Sequence, residues 1–278
     1  MPEEIRKKAV LFDVDDTLYD QTVPFMEAYA QYFGPDAPVP ARTIYPVTRK
    51  YSDQMFSRAM AGVITMDEMY ICRVQKAFDD FGVSISDEEA LAFQRLYASR
   101  QNYIRMSPLM EEILEYCSGK ADLGIITNGP ADRQWDKVKS LQAERWIPHE
   151  NIFVSAEAGA EKPDRKIFDY AKKKMRLEEM EIWFVGDAYP LDVEGALNAG
   201  WNAVWMNRRN REMPEQGKNS RQEKGRMLCV RSEEELSSVL RGLLQAAENS
   251  KDHMDPRRFC RHSVKSFPEK RSGIFCGV

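Results

Sequence analysis

Short, predominantly apolar runs recur along this chain, each too brief for a helix, several of them closing on polar or acidic residues. They are Ala9-Val10-Leu11-Phe12, the stretch Asp122-Leu123-Gly124-Ile125-Ile126-Thr127, Ile152-Phe153-Val154-Ser155, Ile182-Trp183-Phe184-Val185, Asn202-Ala203-Val204-Trp205-Met206 and Met227–Val230. An unbroken apolar run of about four to six residues marks a strand buried on both faces, the condition of a parallel sheet covered by helices. Between the runs lie segments of helical character: one opened by Ser107-Pro108, others over 131–140 and 164–175, another ending at Gly200, and Glu233 to Ala247 closing the series. Strands alternating with helices predict an α/β fold built on a parallel sheet.

The stretch from about 20 to 106 breaks this grammar. Thr65-x-x-Glu68 and Ser86-x-x-Glu89 are capping boxes, each opening an amphipathic run, and Gly34-Pro35 with Pro38 and Pro40 separates the first helix from the next. An all-helical insert over 19–106 is therefore expected inside a core made of 1–18 and 107–247. Residues 207–226, rich in Arg, Lys, Asn and Glu, read as a surface loop. After 248 periodicity stops, and 251–278 hold seven Lys/Arg against three Asp/Glu, which predicts a disordered basic tail. With 43% hydrophobic residues the chain is too apolar to be disordered throughout, and no run approaches the roughly 18 residues that span a bilayer. The charged start, Met1 to Lys8, lacks a signal-peptide core, so a cytoplasmic location is expected. The net charge of −4 argues against a nucleic-acid partner, and five scattered Cys without a C-x-x-C pair argue against a disulfide scaffold.

In an open parallel sheet, ligands bind beyond the carboxyl ends of the strands. Those ends present Asp13-Val14-Asp15-Asp16-Thr17, Thr127-Asn128-Gly129, Glu161-Lys162-Pro163-Asp164 and Gly186-Asp187-x4-Asp192. Singly, each is also a common turn or helix cap. Together, with Asp13, Thr127, Lys162 and Asp187 separated by 114, 35 and 25 residues, they form one set. That set resembles the haloacid dehalogenase superfamily, whose four motifs stand here as Phe12-Asp13-Val14-Asp15-Asp16-Thr17-Leu18, Ile126-Thr127-Asn128-Gly129, Lys162-Pro163-Asp164 and Val185-Gly186-Asp187-x4-Asp192. The likeness covers about residues 8 to 245.

The resemblance implies a Rossmann-like core with a small helical cap over 19–106. It implies Asp13 as nucleophile, Asp15 as acid/base, Thr127 with the Asn128 and Gly129 amides around the phosphoryl oxygens, and Lys162 balancing their charge. Mg²⁺ is the implied cofactor, held by Asp13, Asp187 and the backbone carbonyl of Asp15, with Asp192 in support and Thr17 bracing the loop. Gathering these carboxylates at one pole without a hard cation would cost several kcal/mol. Asp15 favours cleavage of a C–O–P ester over a C–Cl or C–P bond, since dehalogenating and phosphonate-cleaving relatives lack it. A phosphatase acting on a small phosphorylated metabolite, a nucleoside monophosphate or a sugar or polyol phosphate, is thus expected. A phosphomutase, or a non-catalytic binding protein on the same fold, are the alternatives.

The remaining residues have plainer readings. Tyr19 to Pro24 resembles a flap over the site. Arg42, Arg49, Lys50, Arg58 and Arg73 are expected on a solvated face of the insert. Tyr29, Tyr32, Phe33, Met66, Met69 and Tyr70 are expected in packing, as are Trp183, Trp201 and Trp205. His149 shows no partner, and His253, Cys260, His262 and Cys276 match no familiar zinc spacing.

Overall fold

The structure, a computed structural model, describes residues 7–214 and 225–245. The basic tail, its His and Cys residues, and the centre of the 207–226 loop lie outside the described residues.

Strands β1 (Lys8–Phe12), β2 (Asp122–Thr127), β3 (Ile152–Val154), β4 (Glu181–Gly186), β5 (Asn202–Met206) and β6 (Met227–Val230) form one sheet, in the order β3-β2-β1-β4-β5-β6, with every neighbouring pair parallel. The two-residue period of a strand sorts its side chains between two cores. Val10 and Phe12 of β1, Trp183 and Val185 of β4, and Val204 and Met206 of β5 enter one layer; Ala9, Leu11, Ile182, Phe184, Ala203 and Trp205 enter the other. Helices α5 (Pro108–Ser118), α6 (Ala131–Ser140) and α10 (Glu233–Gln245) cover the first layer, through residues such as Ile113, Val138 and Leu240. Helices α8 (Arg165–Met175) and α9 (Glu194–Asn198) cover the second, through Ile167, Phe168 and Ala196, while α7 (Ser155–Ala158) is a single turn after β3. Apolar runs were needed because both faces are buried, and each fully buried Leu, Ile or Phe contributes about 1.5–3 kcal/mol.

The chain runs outward from β1 to β2 to β3, then returns to the other side of β1 with β4. At that reversal the loops leaving β1 and β4 part in opposite directions and open a crevice. Asp13 and Asp187 are the residues that follow these adjacent strands.

The helical insert comprises α1 (Thr22–Phe33), α2 (Ala41–Met60), α3 (Met66–Asp79) and α4 (Asp87–Gln101), with a separate core around Phe25, Tyr29, Phe78 and Phe93. Tyr19, Ile104 and Met106, at its edges, pack instead with the sheet core. Both capping boxes form: the Thr65 amide donates to Glu68 at 2.7 Å and the Glu68 amide to Thr65 Oγ1 at 3.1 Å, with the same reciprocity between Ser86 and Glu89. Thr65→Ala should lower unfolding free energy by about 1 kcal/mol, read from denaturant melts. Trp183, Trp201 and Trp205 are core residues as expected. His149, by contrast, has company: its ring stacks on Trp135 at 4.5 Å, and Nδ1 lies 2.8 Å from Glu144. Among the described residues, no helix is long and apolar enough to cross a membrane.

Candidate active site

Asp13 leaves β1 with its amide donating to the Val185 carbonyl of β4 at 2.9 Å, and its carboxylate is almost wholly buried. Lys162 Nζ donates to Asp13 Oδ1 at 2.6 Å and lies 2.7 Å from Asp192 Oδ1. A reciprocal clamp sets this lysine: Asn128 Nδ2 donates to the Lys162 carbonyl, and the Lys162 amide donates to Asn128 Oδ1, both at 2.9 Å. Asn128 thereby ties the tip of β2 to the loop before α8.

Asp187 follows β4, and Asp192 lies in the turn of π-helix Tyr189–Val193, where its Oδ2 accepts from the Ala188 amide at 2.8 Å. Gly186 is what lets Asp192 in, since a Cβ there would stand 2.4 Å from the Asp192 carboxyl carbon. Asp13, Asp187 and Asp192 each offer a carboxylate oxygen within 4.8 Å of the others. Burial, opposed by Lys162 and reinforced by Asp192 and Asp15, pushes Asp13 up to about 7. Burial together with Asp16, Asp192 and Asp13 holds Asp187 well above the usual carboxylate range. Arg211, 3.8 Å away and partly exposed, does little to offset this. Lys162 alone does not balance three clustered carboxylates, and an all-oxygen donor set of this kind fits a hard divalent cation.

Asp15 points elsewhere. Its carboxylate receives Lys137 Nζ at 2.6 and 2.8 Å and the Tyr19 hydroxyl at 2.5 Å. Burial acts to raise it, but the Lys137 charge and these hydrogen bonds win and bring Asp15 down to about 2. Its side chain is thus not part of the Asp13, Asp187 and Asp192 cluster. Sequence reading missed Lys137. The available signal was polar residues on the inward stripe of α6, where Gln134 and Lys137 are buried alongside Val138. Gln134 is used as well: Thr127 Oγ1 donates to Gln134 Oε1 at 2.9 Å, and Gln134 Nε2 donates to the Asn128 carbonyl at 3.2 Å. The Gly129 amide donates to Ser155 Oγ at 3.0 Å, so in this conformation it is already engaged.

The loop after Asp13 is braced from an unexpected quarter. Asp16 has a left-handed backbone (φ 55), and its buried carboxylate accepts from the Gln21 amide at 2.9 Å and Arg209 at 2.7 Å. Arg209 also pairs with Asp20 of the flap, while Arg208 donates to the carbonyls of Asp16 at 3.1 Å and Thr17 at 3.0 Å. The start of the 207–226 segment is therefore a clasp on the Asp13 loop rather than only a surface loop. Thr17 is fully buried, and its Oγ1 has no hydrogen-bond partner.

A cavity of about 370 Å³ lies between sheet tips and helical insert, with Asp13, Asp15, Lys162 and Asp187 on one wall and Arg49, Met66, Met69, Tyr70 and Arg73 on the other. Two expectations are corrected here. Met66, Met69 and Tyr70 line the cavity instead of serving only in packing, and Arg73 is buried rather than solvated. Sequence periodicity places such residues on the inner face of α3 but does not reveal that this face meets a hollow. Tyr29 and the neighbouring Tyr32 and Phe33 do belong to the packing of the insert.

Residues 7–200 match the family of haloacid dehalogenase-like hydrolases. Over 218 residues the chain is 29% identical to a glyceraldehyde 3-phosphate phosphatase of Methanopyrus kandleri, an alignment covering 72% of this chain and 84% of that protein. It is 34% identical over 104 residues to the pyrimidine 5'-nucleotidase YjjG of Escherichia coli, covering 37% of this chain and 45% of the nucleotidase. It is also 37% identical over 84 residues to the glyceraldehyde 3-phosphate phosphatase of Pyrococcus abyssi, covering 30% of this chain. These last two alignments span less than half of the relatives' own length, 45% and 34%. Among solved structures, the magnesium-bound putative HAD-hydrolase YfnB of Bacillus subtilis superposes with a TM-score of 0.62 at 21% identity, covering 84% of this chain and 99% of that one. A dehalogenase with an intermediate complex superposes with a TM-score of 0.64 at 20% identity, covering 84% and 97%. At these identities the structural likeness is one of fold.

Proposed function

The chain belongs to the family of haloacid dehalogenase-like hydrolases, and on that footing we propose that it is a Mg²⁺-dependent phosphatase of small phosphorylated metabolites. The observation that carries this reading is the 2.6 Å pairing of Asp13 with a buried lysine beside two further carboxylates, with a fourth, separately held carboxylate two residues along. Asp13 Oδ attacks phosphorus, the ester oxygen departs, and an aspartyl-phosphate replaces one difficult displacement with two easier ones. Lys162 and, once its hydroxyl turns from Gln134, Thr127 meet the phosphoryl oxygens, where catalysis is mainly position and positive field. Asp15, a carboxylate in the free protein, takes up the proton of the bound monoanionic ester and passes it to the departing oxygen; as the carboxylate again, it takes a proton from the water that attacks the aspartyl-phosphate.

Mg²⁺ would be held by Asp13 and Asp187, with Asp192 beside them and the Asp15 backbone carbonyl completing the set; when bound it supplies charge neutralisation and orientation of the phosphoryl group. A cavity of about 370 Å³ has room for a sugar, polyol or nucleoside monophosphate, in keeping with the phosphatases and the nucleotidase to which the chain is similar. The alternative chemistry of the structurally similar dehalogenases is disfavoured by Asp15, which that reaction does not require.

A panel of phosphorylated metabolites, assayed for released phosphate with EDTA and with added Mg²⁺, tests the proposal. Release should fall at least about a hundredfold in EDTA and return with Mg²⁺. No release from any ester, or release indifferent to EDTA, would overturn it.

A further inference from the structure

Arg73 is anomalous. It stands on α3 with only 8% of its surface exposed, its Nη1 donating to Ser52 Oγ of α2 at 2.8 Å and its Nη2 to Gln94 Oε1 of α4. Its Nε has no partner, and both visible acceptors are neutral. The rings of Tyr70 and Tyr97 flank the guanidinium at 5.0 and 5.8 Å, adding a weak attraction but no counter-charge. Arg49 repels it, and Asp53, which attracts both, is engaged with Arg49 at 3.4 Å. Arg49 Nε is likewise buried without a partner. Apart from Asp53, Arg49 and Arg73, the residues that the insert contributes to the cavity wall are neutral.

Burying a guanidinium without an anion is costly, and evolution of a merely structural tie between three helices would not require a charge, since neutral donors serve Ser52 and Gln94 equally well. The guanidinium also shares its cavity with Asp13 and Lys162. A substrate whose phosphoryl group rests on Lys162 therefore extends its far end toward two cations and one carboxylate. A planar fork of donors is matched to carboxylate or phosphate oxygens and is wasted on a hydroxyl.

We propose that Arg73, supported by Arg49, receives a second anionic group of the substrate, so that the preferred ester carries a carboxylate or a second phosphate remote from the one cleaved. This rests on the phosphatase reading above and, among small phosphorylated metabolites, selects those that carry a second anion. Met69 and Tyr70, on the same wall, would contact the carbon chain between the two anions.

Matched pairs of esters test it: 3-phosphoglycerate against glycerol 3-phosphate for a carboxylate, and fructose 1,6-bisphosphate against fructose 6-phosphate for a second phosphate. In one pair the wild type should favour the doubly anionic member by about thirtyfold in kcat/KM, a discrimination of the size expected where a site built for an ionic partner is left unpaired. Which pair shows it identifies the anion. Arg73→Met should bring that ratio close to one, chiefly through KM, and Arg73→Lys should recover part of it. Arg49→Met, at a less buried site, should lower the ratio in the same direction and serves if Arg73→Met does not fold. The same ratio read as Kd by calorimetry on Asp13→Asn protein needs no turnover. Preferential binding without hydrolysis by the wild type would keep the subsite and overturn the phosphatase reading. Hydrolysis with ratios near one in both pairs, or a ratio unchanged by the arginine variants, would overturn the subsite alone.

Discussion

Asp13→Asn should abolish phosphate release from 4-nitrophenyl phosphate, lowering kcat by roughly 10⁴-fold or more, as removal of a covalent nucleophile does elsewhere. The substitution is nearly isosteric, and the amide oxygen still accepts from Lys162, so the loss would come from chemistry and not from a displaced lysine. Stability should hold. Asp13 is buried beside Asp187 and Asp192, and burial already works against its charge. Neutralising it removes repulsion at the cost of one ion pair, while Lys162 keeps Asp192 at 2.7 Å. A Tm within a few degrees of wild type, together with lost turnover, is the expected pair of results. Turnover near the wild-type rate would remove Asp13 from the role of nucleophile.

Lys137→Met should reduce kcat by about 10²-fold on an alkyl phosphate and by much less on 4-nitrophenyl phosphate, within the range that a positioned acid/base contributes. The reason is geometric. Lys137 grips both oxygens of Asp15, and with the Tyr19 hydroxyl it fixes where that carboxylate points. A nitrophenolate departs without a proton, whereas an alkoxide needs one, so a misplaced Asp15 is felt mainly by the alkyl ester. The charge relation also defines the resting state: with Asp15 down at about 2, the folded protein at neutral pH holds it as carboxylate. That state suits the second step directly; in the first, Asp15 takes up the proton that the monoanionic ester brings and passes it to the leaving oxygen, with Lys137 and Tyr19 fixing where it points. In a double-mutant cycle, Asp15→Asn and Lys137→Met should be strongly non-additive, since the second change has nothing left to position. Additive losses would show that Lys137 acts on something other than Asp15.

How far these residues could be read in advance varied with the kind of signal. The strand Ala9 to Phe12 was legible because burial on both faces demands apolar residues at every position, which composition alone reveals. Thr65 and Ser86 were legible as caps because a capping box is local, made within four consecutive residues. Asp13, Lys162, Asp187 and Asp192 were recognisable as a set, and the structure brings Lys162 onto Asp13 and Asp192 with an oxygen of Asp187 within 4.8 Å of the other two carboxylates. Lys137 was not legible, because a lysine on α6 has the same sequence context whether it faces solvent or a carboxylate 122 residues earlier. Arg208 and Arg209 were hidden for the same reason, in a segment whose composition reads as surface but whose side chains close on Asp16 and Thr17. Arg73 shows the limit most clearly: a charge on an amphipathic helix is ordinarily solvated, and only the approach of α2 and α4 buries it.

By itself the order of residues determined the alternation of strands and helices, the helical insert, and the acidic and basic residues that close the strands, because each depends on local periodicity, capping or burial on both faces. Only the tertiary structure decided which carboxylates share a pole, that Asp15 turns from them to Lys137, and that two arginines of the helical insert overlook the same hollow. Those are matters of distance between remote parts of the chain, and Coulomb forces and hydrogen bonds act over a few ångströms of space without regard to separation in sequence.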